Sequence, residues 1–161
     1  MLKYNIMTNG IKGRGKMIDF QRYFLHEQQI FLDNISYETQ RPEKAAPGAV
    51  RLNCKDTIVA QLIDKVGVKV TFNRAMQFDP EGPFTLSVTF GVMMRFNPVY
   101  MDEIMWKNID IAGEFKKGCP HILSNLMART SLVISEITSA AGQVPVVTPG
   151  GVAPQQAPKE P

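Results

Sequence analysis

The sequence predicts an α+β fold: a four-stranded antiparallel sheet packed with one long C-terminal helix. Two runs, Val66 to Phe78 and Phe84 to Phe96, place apolar residues at every second position. A turn-forming word, Asp79-Pro80-Glu81-Gly82-Pro83, joins them. After Cys119-Pro120-His121-Ile122-Leu123 the apolar residues recur instead at three- and four-residue steps. Period two marks strands with one buried face, and period 3.6 marks a helix. Sheet first and helix last is the order of a segregated α+β domain.

Each element follows from local chemistry. Phe24 to Tyr37 is aromatic and β-branched, with Phe31, Ile35 and Tyr37 on one side and Ile30 and Leu32 on the other, as in a strand covered on both faces. Pro42 and Pro47 make 41–48 a loop. Val50, Leu52 and Cys54 alternate with Arg51 and Asn53 in a second strand; after a break expected near Lys55-Asp56, Ile58 to Ile63 either continues it or leads towards the next. In the third strand Val66, Val68, Val70, Phe72, Met76 and Phe78 share one parity, with Arg74 the one charged residue on that side. Phe84, Leu86, Val88, Phe90, Val92, Met94 and Phe96 do the same in the fourth. Such alternation leaves the second face to solvent or a partner. Val99 to Lys117 reads as a short helix or a crossing loop. Pro120 suits the first helical turn, and Leu123, Leu126, Met127, Thr130, Val133, Ile134, Ile137 and Ala141 form an apolar stripe. Gly142 and Pro145 stop the helix.

The chain has 161 residues, 44% hydrophobic and 20% charged, as expected of one globular domain. Lys3, Lys12, Arg14 and Lys16 all fall in the first sixteen positions, where there is no acid, so without them the net charge of +3 turns slightly negative. The folded part thus has no basic excess for nucleic acid. Residues 1–23 read as a flexible basic leader, with Met17 an alternative start, 24–147 as the domain, and 148–161, rich in Pro, Gly and Gln, as a disordered tail. No run reaches the roughly 18 apolar residues of a membrane span. Cys54 and Cys119 give neither a disulfide framework nor a metal quartet and read as reduced thiols of a cytoplasmic protein.

No catalytic constellation stands out. His26 and His121 lack metal-ligand spacing, and Cys119 with His121 has no third orienting residue. The glycines at 10, 13 and 15 do not follow a strand as a phosphate loop requires. Asp102, Glu103, Asp110 and Glu114 read as a solvated face. Methionine carries more information: Met93, Met94, Met101 and Met105 lie close together beside Phe90, Phe96 and Trp106. Flexible thioethers with aromatics suit either an adaptable core or a surface that accepts many apolar segments. Met93 and Met94 have opposite parity, so they cannot serve one face.

Three words in order resemble the SecB family of bacterial export chaperones, over Gln29 to Pro149. They are Ile30-Phe31-Leu32-Asp33-Asn34-Ile35-Ser36-Tyr37-Glu38; Val50-Arg51-Leu52-Asn53 with the hairpin after it; and Cys119-Pro120-His121-Ile122-Leu123 followed by Ala128-Arg129, Gly142 and Val144-Pro145. The resemblance implies an ATP-independent holdase that binds non-native polypeptides in apolar grooves. It implies a cytoplasmic homotetramer built as a dimer of dimers, and delivery of precursors to the SecA motor. No cofactor, metal, nucleic acid, membrane insertion or enzymatic step is expected. The expected client-contact residues are Val50, Leu52, Met93, Met101, Met105 and Trp106. Leu123, Leu126, Val133, Ile134 and Ile137 are expected to pack on the sheet or a partner subunit, and a charge at Ile134 is expected to disrupt assembly. Glu38 matches one acid of the SecA-docking face. Asn34 and Ser87 stand where other acids are usual, Asp33 falls on the opposite parity from Asn34, and the family's second helix has no counterpart. The alternative is a SecB-like module dedicated to one partner, such as an antitoxin.

Overall fold

The structure is a computed structural model that describes residues 17–40, 51–148 and 150. The element order is α1 (Phe20–Tyr23), β1 (Phe24–Thr39), β2 (Arg51–Ile63), β3 (Gly67–Asp79), β4 (Phe84–Phe96), two 3-10 turns (Met101–Glu103 and Trp106–Asn108), α2 (Ile111–Gly118) and α3 (Pro120–Ala140). The four strands form one antiparallel sheet in the order β1-β4-β3-β2. This is the expected architecture, a four-stranded antiparallel sheet with a long C-terminal helix. Of the expected boundaries, residues 1–16, the 41–48 loop with Val50, and the tail residues 149 and 151–161 lie outside the described residues.

One face of the sheet is dry. Val68, Val70, Phe72 and Met76 of β3, with Phe84, Leu86, Val88, Phe90, Val92, Met94 and Phe96 of β4, are buried there. They meet Ile122, Leu123, Leu126, Met127 and Ile134 of α3. Val133 and Ile137 are half-buried against the same core. Ile134 is 0% exposed within a single chain. It is therefore packed within the core of one chain, the sheet side of the two places open to it. The helix lies mainly over β4 and β3, the middle strands, and α2 packs against β2.

The structure departs from the sequence reading at three places. First, β2 is not broken at Lys55-Asp56; it pairs with β3 without interruption from Arg51 to Ile63. Asp56 belongs in the strand because it faces Arg74, whose Nε and Nη2 donate to its two carboxylate oxygens at 2.7 and 2.8 Å. The charged exception on the apolar side of β3 thus has its counter-ion on the neighbouring strand. Second, β1 carries a register shift between Leu32 and Asn34. A bulge reverses which side each later residue faces. Ile30, Leu32, Ile35 and Tyr37 consequently share the helix-side face, opposite Val92, Phe90, Val88 and Leu86. Phe31 lies over Gly91 on the other face, where an added Cβ would come within 2.6 Å of its ring. Asp33 also reaches that other face, with Lys69 donating to it at 2.6 Å. Asp33, Asn34 and Glu38 therefore line one surface, not two. Third, residues 17–23 are not a loose leader. The Ile18 N–H donates to Glu114 at 3.0 Å, the Asp19 carboxylate caps α1, and Phe20 stacks on Phe24 at 5.4 Å.

Val99 to Lys117 contains both structures that the sequence allowed. Two short 3-10 turns cross the end of the sheet and α2 follows. Asp110 accepts from the Gly113 N–H at 3.0 Å to begin α2, and Lys116 and Lys117 end it, as the helix dipole favours. Gly142, at φ +77°, turns the chain out of α3 in a conformation that a side chain would strain.

Candidate apolar cleft

At the end of the sheet where β2 turns into β3, the 3-10 turns form one wall of a cleft of about 260 Å³. It is lined by Leu62, Phe96, Met101, Ile104, Met105 and Trp106, with Asp64, Lys65, Asp102 and Lys107 at its rim. Trp106 is its floor. The indole N–H donates to the Met101 carbonyl at 2.8 Å, and the ring packs on Phe96 at 4.8 Å and on Phe24 at 5.3 Å. Met105 forms a lip that is 76% exposed. A floor held by aromatic stacking under flexible, polarizable side chains can accept apolar groups of different shapes.

An ion pair at the surface fixes the wall. The Arg22 guanidinium donates to both oxygens of Glu103 at 2.8 and 3.0 Å and stacks over Tyr100 at 4.4 Å. The hydrogen bond from Arg22 holds the Glu103 carboxyl below its ordinary range. The same bond raises Arg22. The small stability that such an exposed pair adds is present above the acid range and is lost as pH falls through the Glu103 titration. Glu103 and Glu114, expected on a solvated face, both make tertiary bonds.

From this cleft a trough runs along the helix side of β2, apolar except at the Asp56–Arg74 pair in its middle. Leu52, Cys54, Ile58, Ala60 and Leu62 are all half-buried there, on an edge strand that lies outside the main contact of α3 with β4 and β3. Leu52 to Leu62 spans about 33 Å at the usual strand rise. That is enough for a fully extended segment of roughly ten residues.

The expected client-contact residues divide between places. Met101, Met105 and Trp106 come together in the cleft. Leu52 lies on the same face at the far end of the trough, opposite Phe78. Met93 lies on the opposite face, beside Gln29 and Lys69 in the register. Val50 is outside the described residues. Leu62, Phe96 and Ile104 were absent from the expected set. Ile104 sits between Met101 and Met105 in the same run and was within reach of sequence reasoning. Leu62 was hidden by the break wrongly placed in β2.

The other face of the sheet is polar. Asn73 donates to Ser87 at 2.7 Å and to Thr89 at 2.8 Å. Glu38 lies at the β1 edge of that face, opposite Thr85. Cys119 is buried while His121 is exposed. Burial pushes the Cys119 thiol up to about 11. Among the described residues no three His, Cys, Asp or Glu side chains gather to hold a metal, and no helix is long and apolar enough to cross a membrane.

No family model matches this sequence, and neither does any curated protein. Similarity appears at the level of structure. The SecB-like chaperone Rv1957 of Mycobacterium tuberculosis, solved with a ChAD peptide from the antitoxin Rv1956 HigA1, superposes with a TM-score of 0.50 at 9% identity, over 76% of this chain and 88% of that one. A protein of unknown function from Streptococcus agalactiae is similar over 78% of this chain and 98% of that one, with a TM-score of 0.36 at 12% identity. The first likeness, with the sheet order and the long C-terminal helix, makes the fold of this chain SecB-like.

Proposed function

We propose that this protein is a chaperone-like binding module that holds extended, apolar polypeptide segments without ATP. The observation that carries the reading is the incomplete cover of the sheet. The helix shields β4 and β3, while β2 and the cleft at Met101, Met105 and Trp106 keep apolar surface open. Burying such surface against a client is favourable without any chemical step. The outer edge of β2, which pairs with no strand among the described residues, offers backbone groups to the same extended segment. The SecB-like neighbour was solved with an antitoxin peptide, which supports a polypeptide as the ligand class. The proposal includes a cytoplasmic homotetramer, the assembly that the family resemblance implies.

Within this reading the protein is either a general holdase for non-native chains or a module for one partner such as an antitoxin. The SecB-like neighbour's own peptide favours the dedicated module. A role in export would use Glu38 to dock SecA, and Asp33 on the same face is already tied to Lys69. The test is light scattering of a chemically unfolded test protein diluted into buffer with this protein and no ATP. Suppression of aggregation at near-stoichiometric amounts is the outcome expected of a general holdase. Failure across several unrelated clients, with binding to one partner peptide, would assign the dedicated module. Failure to bind any extended polypeptide would overturn the proposal.

A further inference from the structure

Residues 144–148 leave α3 after Gly142 and run back along it. They have no regular secondary structure, yet they are seated. The Val146 N–H donates to the Thr138 hydroxyl at 3.0 Å, and its side chain packs on the core. Thr148 is only 7% exposed. Its hydroxyl lies 2.8 Å from Nη1 of the buried Arg74 and 2.7 Å from the Ser131 hydroxyl. Val144 and Val147 point outward at 83% and 84% exposed. An apolar residue inward, the next outward and a hydroxyl inward is the alternation of an extended peptide. The shelf beneath is formed by Thr138 and Ser131 of α3 and by Arg74 of β3, which is paired with Asp56 of β2. It therefore lies at the middle of the trough that runs from Leu52 to Leu62.

We infer that this shelf is a peptide subsite and that residues 144–148 occupy it in place of a client. The ligand it selects is an extended segment with an apolar residue, any residue, and then Ser or Thr. The inference rests on the polypeptide-binding reading above and adds a position, a sequence preference and a competing internal occupant. The seat is held through side chains. Among the described residues no backbone–backbone hydrogen bond holds 144–148. When Thr148 leaves, Arg74 keeps both oxygens of Asp56 and the Ser131 hydroxyl at 3.3 Å. Segments with few backbone bonds and exposed apolar side chains open at low cost.

The test locks and unlocks the segment in the full-length chain. The adjoining hydroxyls of Ser131 and Thr148 place the two positions within disulfide reach. The double variant Ser131→Cys/Thr148→Cys is oxidised with diamide, the bridge is mapped by mass spectrometry, and retention of fold is checked by circular dichroism. The probe is a reduced, alkylated, permanently unfolded protein, and its affinity is measured for the oxidised and reduced forms and for Val146→Asp. The expected result is at least a tenfold loss of affinity on oxidation, recovered on reduction, and a severalfold gain for Val146→Asp. Unchanged affinity in the locked form, with binding intact, overturns the subsite while leaving the general reading in place. Absence of binding in every form, including Val146→Asp, overturns that reading and the subsite together.

Discussion

Arg74 and Asp56 decide much of the local structure. Their bidentate pair has both side chains nearly fully buried, at 0% and 3% exposed. Removing one partner strands the other charge in a dry site. Asp56→Ala should therefore cost about 3–5 kcal/mol, read as a lower denaturant midpoint. Replacing both, as Arg74→Met with Asp56→Leu, should recover most of that loss, because apolar residues need no counter-ion there. Cys119 gives a second test at this scale. Burial raises its thiol to about 11, so it should resist iodoacetamide at pH 8 in the native protein and react once denatured. An unfolded thiol ionises near 9. The native state then keeps a proton that the unfolded state gives up, so this contribution is whole below pH 9 and is lost as pH rises through about 11. Met105 stands apart because it is exposed and free of core packing. Met105→Ser should leave the melting temperature unchanged. It should weaken binding of an unfolded test protein by about 1–2 kcal/mol, or roughly five- to thirtyfold.

At the scale of elements, the strands with strict alternation and the capped helix were legible in the sequence. The alternating apolar residues of β3 and β4, Met93 apart, face the helix, and Pro120 and Gly142 bracket α3 within a residue or two. What stayed hidden depended on neighbours in space. The Lys55-Asp56 pair looks like a break until Arg74 is known to lie opposite Asp56. The β1 bulge comes from pairing with β4, where Gly91 makes room for Phe31. No pattern within β1 alone reveals it. The same limit applied to the cleft. The methionine cluster pointed to the right loop, but separating Met93 from Met101 needed the face of β4 and the path of the 3-10 turns. Ile134 shows how an amphipathic stripe leaves open which partner it meets. Its complete burial within one chain means that Ile134→Asp should unfold the domain, at a cost above about 4 kcal/mol, before any question of assembly arises. Far-UV circular dichroism in a urea titration would show this. A stable, native-like variant would place the side chain elsewhere.

As a whole molecule, the protein combines a well-packed centre with an unfinished margin. The dry core lies between α3 and the two middle strands, and both edge strands are long. Leu32 and Ile35 of β1 are 48% and 39% exposed on the helix side, and β2 has its half-buried trough. Proteins usually blunt such edges or cover them with a partner. Here the apolar margin is organised around Trp106, held by its ring contacts, and the exposed thioether of Met105, which suits ligands that vary. Trp106 is also the only tryptophan in the chain, so the cleft carries its own reporter. The most direct measurement is its emission during titration with a tryptophan-free, permanently unfolded protein. The account predicts a saturable change in its emission at near-stoichiometric ratios that is weakened by Met105→Ser. Binding seen by native gel or light scattering with unchanged Trp106 emission would contradict it, and would move the contact away from this cleft.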